Sequence, residues 1–195
     1  MKALFLILFF LLVAFTINAE LVLDVNGEPL DPSAQYFILS TFRGAAGGGL
    51  LPFKAGNSTY PVNVIQGFSD LDSGEPVKFT PVPEIGLIPT DTLLEIKFAE
   101  TPEGVSSGKW TTVKDLGETW TVGIGGPQDH EGYETLSGFF KIHRVDNSYK
   151  LSFVPHINTA LSADLGMSFE HGRRLVVSNE YFFQCYFRKA VDTSF

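Results

Sequence analysis

The stretch VLDVNGEPLDPSAQYFI, Val22–Ile38, joins two strand-like runs, LVLDV from Leu21 and YFILSTF from Tyr36, through a polar, turn-forming middle. Asn26-Gly27 is a pair favoured in tight hairpin turns, because glycine accepts a positive φ without steric cost. Asp24 stands where its carboxylate can bond back to the turn amides. The same alternation continues outward. Short runs rich in Val, Ile, Phe, Tyr and Thr recur at PVNVIQ (Pro61), PVKF (Pro76), LLEIKF (Leu93), KWTTV (Lys109), TWTVGI (Thr119), GFFKIHRV (Gly138), YKLSFV (Tyr149), MSF (Met167), RRLVV (Arg173) and YFFQCYF (Tyr181). Gly, Pro, Asn or Asp separate them, and no helical periodicity of useful length appears after the first residues. About twelve short strands at near-even spacing predict an all-β barrel or sandwich. QYFILS (Gln35–Ser40) echoes SYKLSF (Ser148–Phe153), and three units of four strands would account for the count.

The first residues, MKALFLILFFLLVAFTINA, place one lysine before an apolar run from Ala3 to Phe15 and end on Ala19. This pattern predicts a secretory signal peptide over residues 1–19, cleaved after Ala19. The run is shorter than the roughly 20 apolar residues of a spanning helix. The mature chain, 20–195, has the length of one domain with a single core. Loss of Lys2 with the leader takes the formal charge from −8 to −9. A net-acidic chain whose densest basic feature is the pair Arg173-Arg174 does not suit nucleic acid or an anionic membrane. Asn57-Ser58-Thr59 is an N-glycosylation acceptor among turn residues.

Cys185 is the single cysteine, so no disulfide can form within the chain. Strand alternation sets it on the face of Phe183 and Phe187, the place of a small buried apolar residue. Gly44–Gly49 (GAAGGG) is either a flexible loop or a point where backbones crowd. Neither it nor GIGG (Gly123–Gly126) precedes a helix, as a phosphate loop must. His130, His143, His156 and His171 are scattered without metal-ligand spacing, and no Gly-x-Ser-x-Gly turn is present. We therefore expect no metal, no cofactor and no enzymatic activity.

The residues of Val22–Ile38 also carry a resemblance. Val22, Asp24, Asn26-Gly27-Glu28, Leu30, Tyr36 and Ile38 match the spacing of the plant Kunitz protease-inhibitor signature, of the soybean-trypsin-inhibitor type. Further landmarks follow in order: Gly47-Gly48-Gly49-Leu50, Val77-Lys78-Phe79 with Pro81, Leu94–Phe98, Ser106–Trp110, Gly138–Ile142, Tyr149-Lys150-Leu151 and Gly172–Val177. The resemblance covers the mature chain and implies a β-trefoil of about twelve strands with a pseudo-threefold repeat. It also implies a protein that inhibits an endopeptidase, a serine protease foremost, and acts as a monomer outside the cell or in the vacuole. Most members carry two disulfides. Here the expected half-cystine positions hold Tyr60, Gly104-Val105, Val154 and Leu161-Ser162. Losing such bridges costs roughly 2–5 kcal/mol each.

The family's inhibitory loop joins the fourth and fifth strands, which here is TPVPEIGLIPTD, Thr80–Asp91. Pro81, Pro83 and Pro89 exclude a helix and oppose a regular central strand, leaving an extended, stiffened loop. The resemblance places Pro83, Glu84, Ile85, Gly86 and Leu87 at the bait, with Glu84-Ile85 as the scissile pair. Trypsin-directed members present Arg or Lys there, and Pro32 stands where many members have a bracing asparagine. Glutamate would set like charges together in a trypsin-type pocket. Three alternatives remain open: Leu87 presented to a chymotrypsin- or elastase-like target, a protease with an acidic preference, or another surface directed at a cysteine or aspartic protease. An inhibitor-fold storage or stress protein is a further reading. A trefoil lectin is disfavoured, because Trp110 and Trp120 sit in GKW and ETW rather than Gln-x-Trp.

Overall fold

The structure is a computed structural model that describes residues 20–54, 62–115, 119–158, 162–169 and 172–191. The expected leader, the Asn57 acceptor, Tyr60, Leu161 and His171 lie outside the described residues. The strands are β1 (Tyr36–Ser40), β2 (Leu50–Phe53), β3 (Asn63–Gln66), β4 (Val77–Val82), β5 (Leu93–Phe98), β6 (Trp110–Lys114) and β7 (Trp120–Ile124). They continue with β8 (Thr135–Leu136), β9 (Gly138–Val145), β10 (Ser148–Pro155), β11 (Ala163–Ser168), β12 (Arg174–Ser178) and β13 (Gln184–Lys189).

Two motifs organise the sheet, and the pairings β10–β11 and β6–β8 join one to the other. Strands β1, β4, β5, β9, β10 and β13 pair in that order, and β13 returns to β1, so six strands close a barrel. Three hairpins, β2–β3, β6–β7 and β11–β12, meet one another through β3–β7, β7–β12 and β12–β3. Each unit contributes its first and last strands to the barrel and its middle hairpin to the cap. This is a β-trefoil. The echo between Gln35–Ser40 and Ser148–Phe153 falls on β1 and β10, the opening strands of the first and third units. Only Ser137 separates β8 from β9, so the thirteen segments are twelve strands with one interruption.

The differences from the sequence reading have local causes. Leu21–Val25 forms only the isolated bridges Leu21↔Pro89 and Leu23↔Pro29, because the barrel ring is already complete without it. Strand β2 escapes notice because it contains Pro52; it pairs with β3 alone, and proline is tolerated on such an edge. Strand β4 runs on through Pro81, opposite Leu94. It meets β1 only at Val77↔Tyr36, so Pro81 again lies at an open side. Strand β13 starts at Gln184, later than Tyr181.

The Asn26-Gly27 turn forms as expected. Asp24 Oδ1 accepts from the amides of Asn26 (2.8 Å) and Glu28 (3.0 Å), and Gly27 has φ 79°. Gly44–Gly49 is a crowding point: a Cβ on Gly49 would lie 1.9 Å from the Ser73 carbonyl oxygen. Arg173 closes this corner by donating to the carbonyls of Gly67 (2.8 Å) and Ala45. The core is aromatic. Phe187 packs edge-on against Phe79 at 5.5 Å and beside Tyr149 at 5.4 Å, while Trp110 meets Phe140 edge-on at 5.8 Å. Phe183, Cys185 and Phe187 all turn inward. Where bridges are missing, Val154 is fully buried and Val105 packs against the core.

Two titratable groups belong to this interior. Burial pushes the Cys185 thiol far above its ordinary range, so a thiol reagent added to native protein should leave it unmodified and label it on unfolding in urea. Burial also lowers the His130 pKa, against the opposing pull of the Ile124 carbonyl, which lies 2.9 Å from Nε2, and of Asp129. The unfolded chain then binds a proton that the folded chain resists. Stability is full above the unfolded value near 6.5 and falls as pH drops from there towards the lower folded value. Urea midpoints at pH 7.5 and 5.5 should show this decline, and His130→Gln should remove its share.

Candidate functional site

The segment between β4 and β5 is short and held at both ends. On the entering side the β4–β5 ladder persists to Val82↔Leu93. On the leaving side Ile88 is fully buried with Val22 and Leu30. Its carbonyl accepts from the Val22 amide (2.9 Å), its own amide donates to Leu30 (3.2 Å), and the Leu30 amide donates to Val22 (2.8 Å). Two residues on, the Thr90 amide donates to Glu20 at 2.7 Å and Asp91 to Ile142 at 2.9 Å. The N-terminal segment therefore serves as a splint for the loop.

The barrel holds that splint. Tyr149 Oη accepts from the Leu23 amide at 2.8 Å, and Tyr36 Oη accepts from Asp31 at 2.9 Å. The Val25 amide donates to the carbonyl of Phe187 at 2.9 Å. Both tyrosines are buried first-strand residues of their units. The ring of each fills the core while its hydroxyl fixes chain outside the barrel.

Between the anchors, Pro83, Glu84, Ile85, Gly86 and Leu87 are all exposed. Ile85 is 37% and Leu87 43% exposed, unusual for large apolar side chains beside a buried Ile88. Glu84 has no ion-pair partner among the described residues. The five residues singled out from the sequence are thus contiguous and open to solvent. Pro32 lies in the turn closed by the Ala34 amide on Asp31 at 3.0 Å, and its side chain has no donor to offer the loop.

Sequence reading missed the anchors. Ile88 could have been found as the apolar residue breaking a run of loop chemistry; the roles of Leu30 and Ile142 are backbone roles with no signature. Of the described histidines, His130 is buried, His156 stacks on Phe139 at 4.4 Å, and His143 reaches Asp91 at the loop's end. Among the described residues no group of His, Cys, Asp and Glu could hold a metal ion.

Comparison with known proteins gives concordant matches. The legume Kunitz family model, described as trypsin and protease inhibitor, matches residues 22–189. A Kunitz-type elastase inhibitor of Bauhinia rufa is 50% identical over 145 residues, covering 71% of this chain and 99% of that one. The crystal structure of a Kunitz type trypsin inhibitor from Cicer arietinum has a TM-score of 0.82 at 38% identity, covering 88% of this chain and 99% of that one. Soybean trypsin inhibitor in its complex with porcine pancreatic trypsin has a TM-score of 0.76 at 31% identity, covering 88% of this chain and all of that one.

The anchor at Ile88 has a measurable weight. Ile88→Ala should cost about 2–5 kcal/mol in urea unfolding, as for other buried large-to-small changes. It should also hasten cleavage within Pro83–Leu87 by excess subtilisin, followed by mass spectrometry.

Proposed function

This chain belongs to the legume Kunitz family of trypsin and protease inhibitors, and from that membership we propose that it blocks a serine endopeptidase other than trypsin by offering Pro83–Leu87 as a substrate-like loop. The observation that carries this reading is the contrast at Leu87-Ile88: five solvent-open residues end on a buried residue locked twice through its backbone. A loop held from its ends loses less conformational freedom on docking, so more of the contact energy remains as affinity.

The choice of target follows from side-chain chemistry. With Glu84 preceding the scissile bond, a trypsin-type pocket would bring two carboxylates together away from water. Like charges in such a site cost several kcal/mol. A second reading shifts the bait to Leu87, favoured by its exposure and by the likeness to an elastase inhibitor. Both readings turn the protein away from trypsin. We further propose that residues 1–19 are removed on secretion and that Asn57 carries a glycan in the mature protein.

Inhibition constants against trypsin, chymotrypsin, elastase, a glutamyl-specific protease, papain and pepsin test the proposal. Wild type should bind trypsin about a thousandfold more weakly than its best serine protease, and Glu84→Arg should recover most of that gap, a factor equivalent to ~4 kcal/mol. Loss of elastase inhibition in Leu87→Ala but not Glu84→Ala would select the Leu87 reading. Inertness of wild type and Glu84→Arg towards every serine protease would overturn the loop mechanism and leave storage or another surface.

A further inference from the structure

Asp91 closes the loop, and its side chain begins a continuous set of polar contacts into the barrel wall. Its carboxylate oxygen bonds Nδ1 of His143, on β9. Nε2 of the same ring lies 2.7 Å from Ser152 Oγ, on β10, and Ser162 Oγ donates to Ser152 Oγ at 3.2 Å. With the carboxylate accepting from Nδ1–H, the donors run in one direction: Ser162 to Ser152, Ser152 to Nε2, and Nδ1 to Asp91. The backbone doubles the connection, since the Asp91 amide donates to Ile142, the neighbour of His143. Asp91 also has φ 63°, a region that aspartate tolerates and most side chains resist.

Serine, histidine and aspartate in this sequence of contacts resemble a hydrolase triad, but the surroundings forbid that chemistry. Ser152 is 1% exposed, and a second hydroxyl already donates to its oxygen. No substrate carbonyl can approach it. Both ends of the array, Ser162 and Asp91, are exposed and its middle is buried, and the Asp91 carboxylate belongs to the loop. The array is therefore oriented to hold something rather than to attack something.

We propose that His143 is a positioning residue for the inhibitory loop, tying its leaving stem at Asp91 to the barrel through Ser152. The inference rests on the inhibitory reading of Pro83–Leu87 and gives it a mechanical basis. On the entering side Pro32 supplies no side-chain donor. On the leaving side the chain Ile85–Asp91 is held by backbone at Ile88, Thr90 and Asp91, and among the described residues His143 adds the side-chain clamp reaching the stem from the barrel. After cleavage at Glu84–Ile85, these contacts would keep the new Ile85 amine near its former partner instead of releasing it.

The test uses His143→Phe, which keeps a planar ring without either nitrogen, and Ser152→Ala, which removes the buried hydroxyl that His143 meets. Hydrogen exchange at the amides of Thr90 and Asp91 should accelerate at least about tenfold in both, while Phe153 and Val176 exchange as in wild type. Subtilisin in excess should cut within Pro83–Leu87 faster by a similar factor, and inhibition constants for the best serine protease should weaken in step. Asp91→Asn retains an acceptor and tolerates the backbone conformation, so it should stay within about threefold of wild type. Unchanged exchange at Thr90 and Asp91 would overturn the tether, and faster exchange with unchanged inhibition would overturn its positioning role. Exchange and cutting need no inhibition. A wild type that inhibits nothing, with a loop that is still cut faster in His143→Phe, would leave the tether standing and remove the inhibitory reading instead.

Discussion

Strand β13 lies between β1 and β10, pairing with Tyr36–Ser40 on one side and with Tyr149 and Lys150 on the other. With it in place the ring of six strands is closed; without it, the facing edges of β1 and β10 would be left unpaired. Its inward residues Cys185 and Phe187, with Phe183 just before it, insert into the aromatic core. Burying one such phenylalanine contributes roughly 1.5–3 kcal/mol. In a chain with a single cysteine, this burial replaces covalent closure. The thiol at the centre of the strand acts as a small apolar side chain.

The barrel transmits its order to the loop in two steps. Tyr36 and Tyr149 use their hydroxyls to fix the segment from Leu23 to Asp31, and that segment fixes Ile88. The exposed apex gains its shape from its supports, since Pro83–Leu87 has little to pack against. An inhibitor needs this division: the residues that enter a protease must be free of other partners, and their geometry must be decided elsewhere. The same division leaves the Glu84 side chain open to solvent, because no described contact depends on it.

The sequence was most informative where local chemistry and fold agree. Asn26-Gly27 with Asp24, the alternation of YFFQCYF and the echo between Gln35–Ser40 and Ser148–Phe153 each dictated a local structure that the barrel then used. It was least informative where proline lies in a strand. Pro52 and Pro81 argue against pairing by propensity, yet each sits beside an edge where the missing donor is not needed. Thr135–Leu136 is too short for periodicity. The loop could be read as extended and exposed from its prolines and apolar residues, but its anchors could not be read. Ile142, Leu30 and Glu20 contribute carbonyl oxygens, which every residue carries, and only folding selects which of them matter.

The position of β13 also sets a timetable for synthesis. The ring closes with the last described strand, and the Phe187 carbonyl within it accepts the amide of Val25, which precedes the first strand. The chain through β13 must therefore leave the ribosome before the splint beneath the β4–β5 loop can settle. Contacts between such distant residues form slowly, because the intervening chain must first be ordered. A nascent chain without β13, or one cut short before it, then exposes Pro83–Leu87 as ordinary peptide, open to digestion. Strand β13 acts as the check that the fold is complete before the β4–β5 loop takes its shape.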